Sequence, residues 1–126
     1  MKEVEFVRTV LADIGRDEVG FTLPHEHLQC TQLCVFSDPV TDEQRILAHE
    51  MFTTENAARV RENPLSNLDN IYLPGGSLVE EELRKFVRLG GKTIVDLTTI
   101  GLGRNIHEIV RLSQVTGLNV IAGTGY

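Results

Sequence analysis

The chain has 126 residues, 41% hydrophobic and 24% charged, with a net charge of −6; these are globular proportions, and the acidic balance opposes a polyphosphate partner, so no nucleic-acid role is expected. Two cysteines, Cys30 and Cys34, are too few for a disulfide framework and suit a reducing compartment. No apolar core of a signal peptide and no run near the roughly 18 apolar residues of a membrane span is present, so a cytoplasmic protein with no membrane partner is expected.

Residues 4–10 read as a strand with polar side chains interleaved. Residues 13–18, rich in Asp and Gly, read as a turn, and residues 19–23 resume an extended apolar pattern that can pair with the first strand as a small hairpin. Pro24 has no ladder donor, so the regular strand should end near it. This puts His25-Glu26-His27 at the strand's C-terminal end or just past it. Residues 28–39 are irregular. Thr41 and Gln44 form a capping box for a helix reaching about Glu62, with Ile46, Leu47, Met51, Phe52 and Val60 as a patchy apolar stripe. Asn63-Pro64 stops it, and the stretch to Gly76 reads as loop.

Ser77 and Glu80 make a second capping box, opening a helix to about Leu89 whose apolar face is Leu78, Leu83, Phe86, Val87 and Leu89. Gly90 and Gly91 are placed to end it. Residues 93–97 form a short buried-type strand, followed by a turn with Gly101 and Gly103. Asn105 caps a helix to about Thr116, with Ile106, Ile109, Val110, Leu112 and Val115 inward. Gly117 ends that helix, and residues 119–122 form another apolar strand.

Strands alternating with helices predict an α/β fold with a parallel sheet. Three parallel strands are expected, ending at His25, Leu97 and Ala122. A (β/α)8 TIM barrel takes ~250 residues, so the chain is read as its truncated N-terminal part, about three strands of eight. The expected division is 1–28 (hairpin and first barrel strand), 29–76 (long loop with an inserted helix) and 77–126 (helix, strand, helix, strand).

Strand residues two apart point to the same side, so His25 and His27 should project together while Glu26 points away. Two imidazoles converging at the C-terminal end of a barrel strand, where such barrels keep their active sites, suit zinc or a similar cation. Catalytic zinc takes about three protein ligands, so this pair cannot complete a site.

The segment from Gly20 to Leu28 (Gly-Phe-Thr-Leu-Pro-His-Glu-His-Leu) resembles the first barrel strand of the phosphotriesterase family, within the amidohydrolase superfamily. Residues 90–98 resemble its second strand, 100–105 the loop that follows, and 117–126 its third strand, in the same order and spacing. The resemblance implies a zinc-dependent hydrolase acting on ester bonds, in which a hydroxide bridging two divalent metal ions attacks a phosphotriester, lactone or related ester. It maps metal ligation onto His25 and His27. It also implies a carboxylated bridging lysine, two later histidines and an aspartate, all on strands beyond Tyr126; Lys92 precedes the second strand and is not that lysine. Residues 1–126 are therefore expected to lack the later-strand ligands and the activity that depends on them. The expected partner is a small-molecule ester or phosphoester, and a homo-oligomer remains compatible.

Two other readings compete: a nucleotide-binding α/β module using Gly101-Leu102-Gly103, and a barrel remnant without chemistry. The third glycine of a dinucleotide loop is replaced by Ile106, which favours a simple tight turn. Asp96, among apolar neighbours, is expected to be satisfied by backbone or threonine donors, or else to support the metal site. Cys30 and Cys34 are expected to be free thiols near the pocket mouth rather than sulfur ligands. Gln29 and Cys30 could line that pocket, and His49 and His107 are expected to be solvated.

Overall fold

The computed structural model describes residues 5–125. β1 (Phe6–Arg8) pairs antiparallel with β2 (Asp13–Gly15) across a turn in which the Thr9 N–H donates to the Ala12 carbonyl at 2.9 Å. This corrects the expected hairpin: residues 13–15, read as turn, are the partner strand, and residues 19–23 feed another sheet. Val4, the first residue of the expected strand, lies outside the described residues.

The main sheet is parallel, in the order β3 (Phe21–Glu26), β6 (Gly91–Asp96), β7 (Asn119–Ala122). Between them in sequence lie β4 (Cys30–Thr31), α1 (Asp42–His49), α2 (Ala57–Glu62), β5 (Tyr72–Leu73), α3 (Gly76–Arg88) and α4 (Ile106–Thr116). α3 connects toward β6, and α4 joins β6 to β7. Both helices pack on one face of the sheet, where Leu28, Leu83, Ile94, Ile109, Leu112 and Val120 belong to one buried cluster. Burying such side chains against a strand layer stabilises by about 1.5–3 kcal/mol each, which is what holds helices to sheet here. The three parallel strands are the number expected, and the alternation of strand and helix is that of a (β/α)8 barrel's N-terminal part.

β3 carries the irregularity that shapes the site. Leu23 pairs with Ile94 and Glu26 with Asp96, so three steps on β3 match two on β6. The extra residue is a bulge through which the strand passes Pro24 and ends at Glu26, one residue beyond the expected end at His25. Within the described sheet β3 is an edge, where a missing N–H donor is tolerated.

The single helix expected over residues 41–62 is two. The Thr41 box is present: its hydroxyl accepts from the Gln44 N–H and the Gln44 side chain accepts from the Thr41 N–H, both at 3.2 Å. The helix nevertheless stops at His49, because Asn56 binds local backbone instead. Its side chain accepts from the Thr53 N–H at 2.9 Å and donates to the Met51 carbonyl at 2.8 Å. Of the expected apolar stripe Val60 is buried and Leu47 half-buried, but Ile46, Met51 and Phe52 face out, and Ala48 is buried in their place. The Ser77 box is absent: α3 begins at Gly76, whose N–H donates across the layer to Glu108 at 2.9 Å. Leu78, Val87 and Leu89 are exposed rather than part of the helix's packing face, as are Ile106 and Val115 of α4. The α4 boundaries are as expected, with Asn105 accepting from the Glu108 N–H and Gly117 in the left-handed region at φ 74°.

Candidate metal centre

β3 ends where the parallel strands present their C-terminal edge. His25 is the second-last residue of the strand and exposed; His27 follows it and is half-buried. Their ring centroids are 5.7 Å apart with an interplanar angle of 69°. Two imidazoles sharing one zinc through about 2.1 Å bonds at tetrahedral to trigonal angles would have centroids about 5–5.5 Å apart. The separation is close to that value and is also that of an edge-to-face ring pair; imidazole nitrogens are in general suitable donors for zinc. Among the described residues no group of three or more His, Cys, Asp or Glu side chains could hold a metal ion. The two histidines thus meet at this strand end without a third such side chain among the described residues.

His27 is held from the end of β6. Nδ1 of His27 lies 2.9 Å from Oγ1 of Thr98, and Thr98 is wholly buried. Asp96, the last residue of β6 and also wholly buried, accepts from the Leu28 N–H and from the Thr98 N–H, each at 2.8 Å. Its carboxylate joins the backbone just after His27 to the backbone of the threonine that touches His27. The Leu97 N–H donates to the Glu26 carbonyl at 2.9 Å, carrying the ladder to the same level. The expected backbone satisfaction of Asp96 is what the structure contains. The Thr98 contact is new; its 71-residue sequence separation left no local signal.

The remaining residues named from the sequence sort as follows. Glu26 and His27 both border, with Leu23, Val79, Leu83 and Phe86, a largely apolar cavity of about 310 Å³ between β3 and α3. Gln29 is buried, and its amide is committed to the loop after β6, donating to the Gly103 carbonyl at 3.2 Å and accepting from the Asn105 N–H at 3.0 Å. It is a strut rather than a pocket lining. Cys30 sits in β4, paired with Leu73; burial, with the Asp96 charge adding, pushes its thiol up from the ordinary value, which disfavours the thiolate a metal would need. Cys34 is a free, exposed thiol. His49 and His107 are exposed.

Gly101-Leu102-Gly103 has a packing explanation. Residues 100–102 make a single 3-10 turn, and Gly103 has φ 70°. A Cβ there would lie 2.5 Å from Thr31 Cγ2. Left-handed backbone and close approach both call for glycine, independent of any phosphate. Arg104 then donates to the Gly123 carbonyl at 2.5 Å, tying this loop to the end of β7. Of the two struts, Gln29 was expected in the pocket lining instead, and Arg104 carried no sequence signal.

The sequence model of the phosphotriesterase family matches residues 5–126. Over 121 residues the chain is 36% identical to an N-acetyltaurine hydrolase of Xenopus tropicalis, covering 95% of this chain and 34% of that relative. A resiniferatoxin-binding protein from Rhodobacter sphaeroides superposes with a TM-score of 0.88 at 35% identity, over 97% of this chain and 34% of that one. A lactonase from Listeria monocytogenes superposes with a TM-score of 0.62 at 26% identity, over 95% and 28% respectively. The chain thus spans about a third of the length of the curated relatives it matches.

Proposed function

The chain belongs to the phosphotriesterase family, and from that premise we propose that it carries the first metal-binding element of a zinc-dependent hydrolase, with His25 and His27 as two ligands of one ion. The observation that carries this reading is the 5.7 Å separation of the two rings at the C-terminal end of β3. In this reading residues 1–28 bring the ligand strand, 29–76 the long loop beside it, and 77–126 the helices and strands that buttress it. The resemblance supplies the rest of a two-ion site from later strands: the bridging lysine, two histidines and an aspartate. When bound, a pair of divalent ions lowers the pKa of water toward about 7 and polarises the bond to be cleaved.

This chain's own residues do the holding. His25 and His27 present ring nitrogens at the rim, Thr98 fixes the His27 ring, and Asp96 ties the backbone of Leu28, directly after His27, to that of Thr98. Gln29 and Arg104 hold the loop after β6 in place beside them. The activity named for the 36% identical N-acetyltaurine hydrolase suggests an N-acyl amide as the bond cleaved, ahead of the lactone or phosphotriester expected from the resemblance. The free cysteines suit a cytoplasmic setting.

The test uses the full-length protein. Its metal content should be about two ions per chain, and turnover should be greater on N-acetyltaurine than on a lactone or an aryl dialkyl phosphate. His25→Ala combined with His27→Ala should abolish turnover and lower the metal content. Turnover undiminished in the double variant, or a metal-free active enzyme, would remove the proposal; a preference for the lactone would overturn the amide assignment alone.

A further inference from the structure

We propose that Thr98 is the positioning residue for the His27 imidazole, and that Asp96 is the buried strut that sets their contact; the inference rests on the metal reading above. An imidazole on a half-exposed strand end can rotate about χ2 and exchange its two nitrogens. Here Nδ1 is engaged by a hydroxyl 2.9 Å away, leaving Nε2 as the nitrogen available to a cation. A coordinated Nε2 requires the proton on Nδ1, which then donates to Oγ1 of Thr98. A valine at 98 keeps the shape but offers Nδ1 no partner, so both ring orientations and both tautomers become accessible.

The threonine is itself placed with little freedom. It has no exposed surface, and its N–H donates to Asp96 Oδ1 while Oδ2 accepts from Leu28, the residue after His27. One carboxylate therefore spans the two backbones whose side chains meet. A serine at 98 retains the hydroxyl on the same backbone; a valine retains the volume without it. Comparison of the two separates hydrogen bonding from packing.

The experiment measures zinc affinity of the full-length protein and of Thr98→Val and Thr98→Ser by competition with a chromogenic chelator. The imidazole nitrogen shifts of 15N-histidine-labelled protein are read alongside. Thr98→Val should weaken the ion held by His27 by about 10–100-fold, and Thr98→Ser should stay within about threefold of wild type. The His27 nitrogen signals should show a protonated Nδ1 in the zinc-loaded wild type and an averaged tautomer in metal-free Thr98→Val. Equal zinc affinity in Thr98→Val and wild type, or a Thr98→Ser variant as weak as Thr98→Val, would overturn the positioning role while leaving the metal reading standing. A wild-type protein that takes up no zinc would overturn both.

Discussion

Replacing Asp96 with Asn tests the strut in energetic terms. The carboxylate is wholly buried and accepts two backbone N–H groups at 2.8 Å. A hydrogen bond to a charged group contributes about 1.5–3 kcal/mol, against about 1 kcal/mol for a neutral pair. Asn retains one acceptor oxygen, so one N–H keeps a weakened bond, while the other faces an amide that only donates. The gross loss is about 3–4 kcal/mol, and relief of the buried charge's desolvation reduces it to about 2–3 kcal/mol. With a urea slope near 3 kcal/mol/M, the unfolding midpoint should fall by roughly 0.7–1 M. Urea titration of the full-length variant by circular dichroism measures this. A midpoint within about 0.2 M of wild type would mean that the carboxylate does not join β3 to β6 energetically, and the account of the strand end would fail.

Gly103→Ala should destabilise by about 1–3 kcal/mol, because φ is 70° and the added methyl meets Thr31; a variant that melts like wild type would contradict the turn explanation. Glu108 is held below the usual carboxylate range by Arg111, with the Gly76 N–H adding. Its stabilisation is therefore present above the unfolded value near pH 4.3 and is lost as pH falls through the depressed folded value. Glu108→Gln should flatten the fall in stability between about pH 5 and 3, by no more than about 1 kcal/mol given the exposed Arg111. An unchanged acid limb in the variant would exclude Glu108 as a contributor.

The second half of the chain was legible in the sequence because its signals are local. Asn105, Gly117 and the run at 119–122 each decide a boundary within one turn, and the structure places α4 and β7 where those residues put them. The first half was less so. Residues 13–15 look like a turn by composition, yet they find ladder partners in β1. The pairing of Cys30–Thr31 with Tyr72–Leu73 joins the two ends of a 40-residue excursion, a contact no periodicity encodes. Pro24 put the strand end near His25 and the strand ends at Glu26, but the bulge that accommodates the proline on an edge had no sequence signal. At the site, the spacing of His25 and His27 was visible in the sequence, though His27 lies one residue past the strand and beyond its bulge. What fixes His27 was not, because Thr98, like the Asp96 carboxylate below it, is brought into contact only by the parallel pairing of β3 and β6.

The most direct test of the central claim is a zinc-edge anomalous difference map from crystals of the full-length protein. The account predicts one peak at the C-terminal end of β3 about 2.1 Å from a nitrogen of each of His25 and His27, with His27 Nε2 as its donor. A peak bonded to only one ring, or none near either, would contradict it.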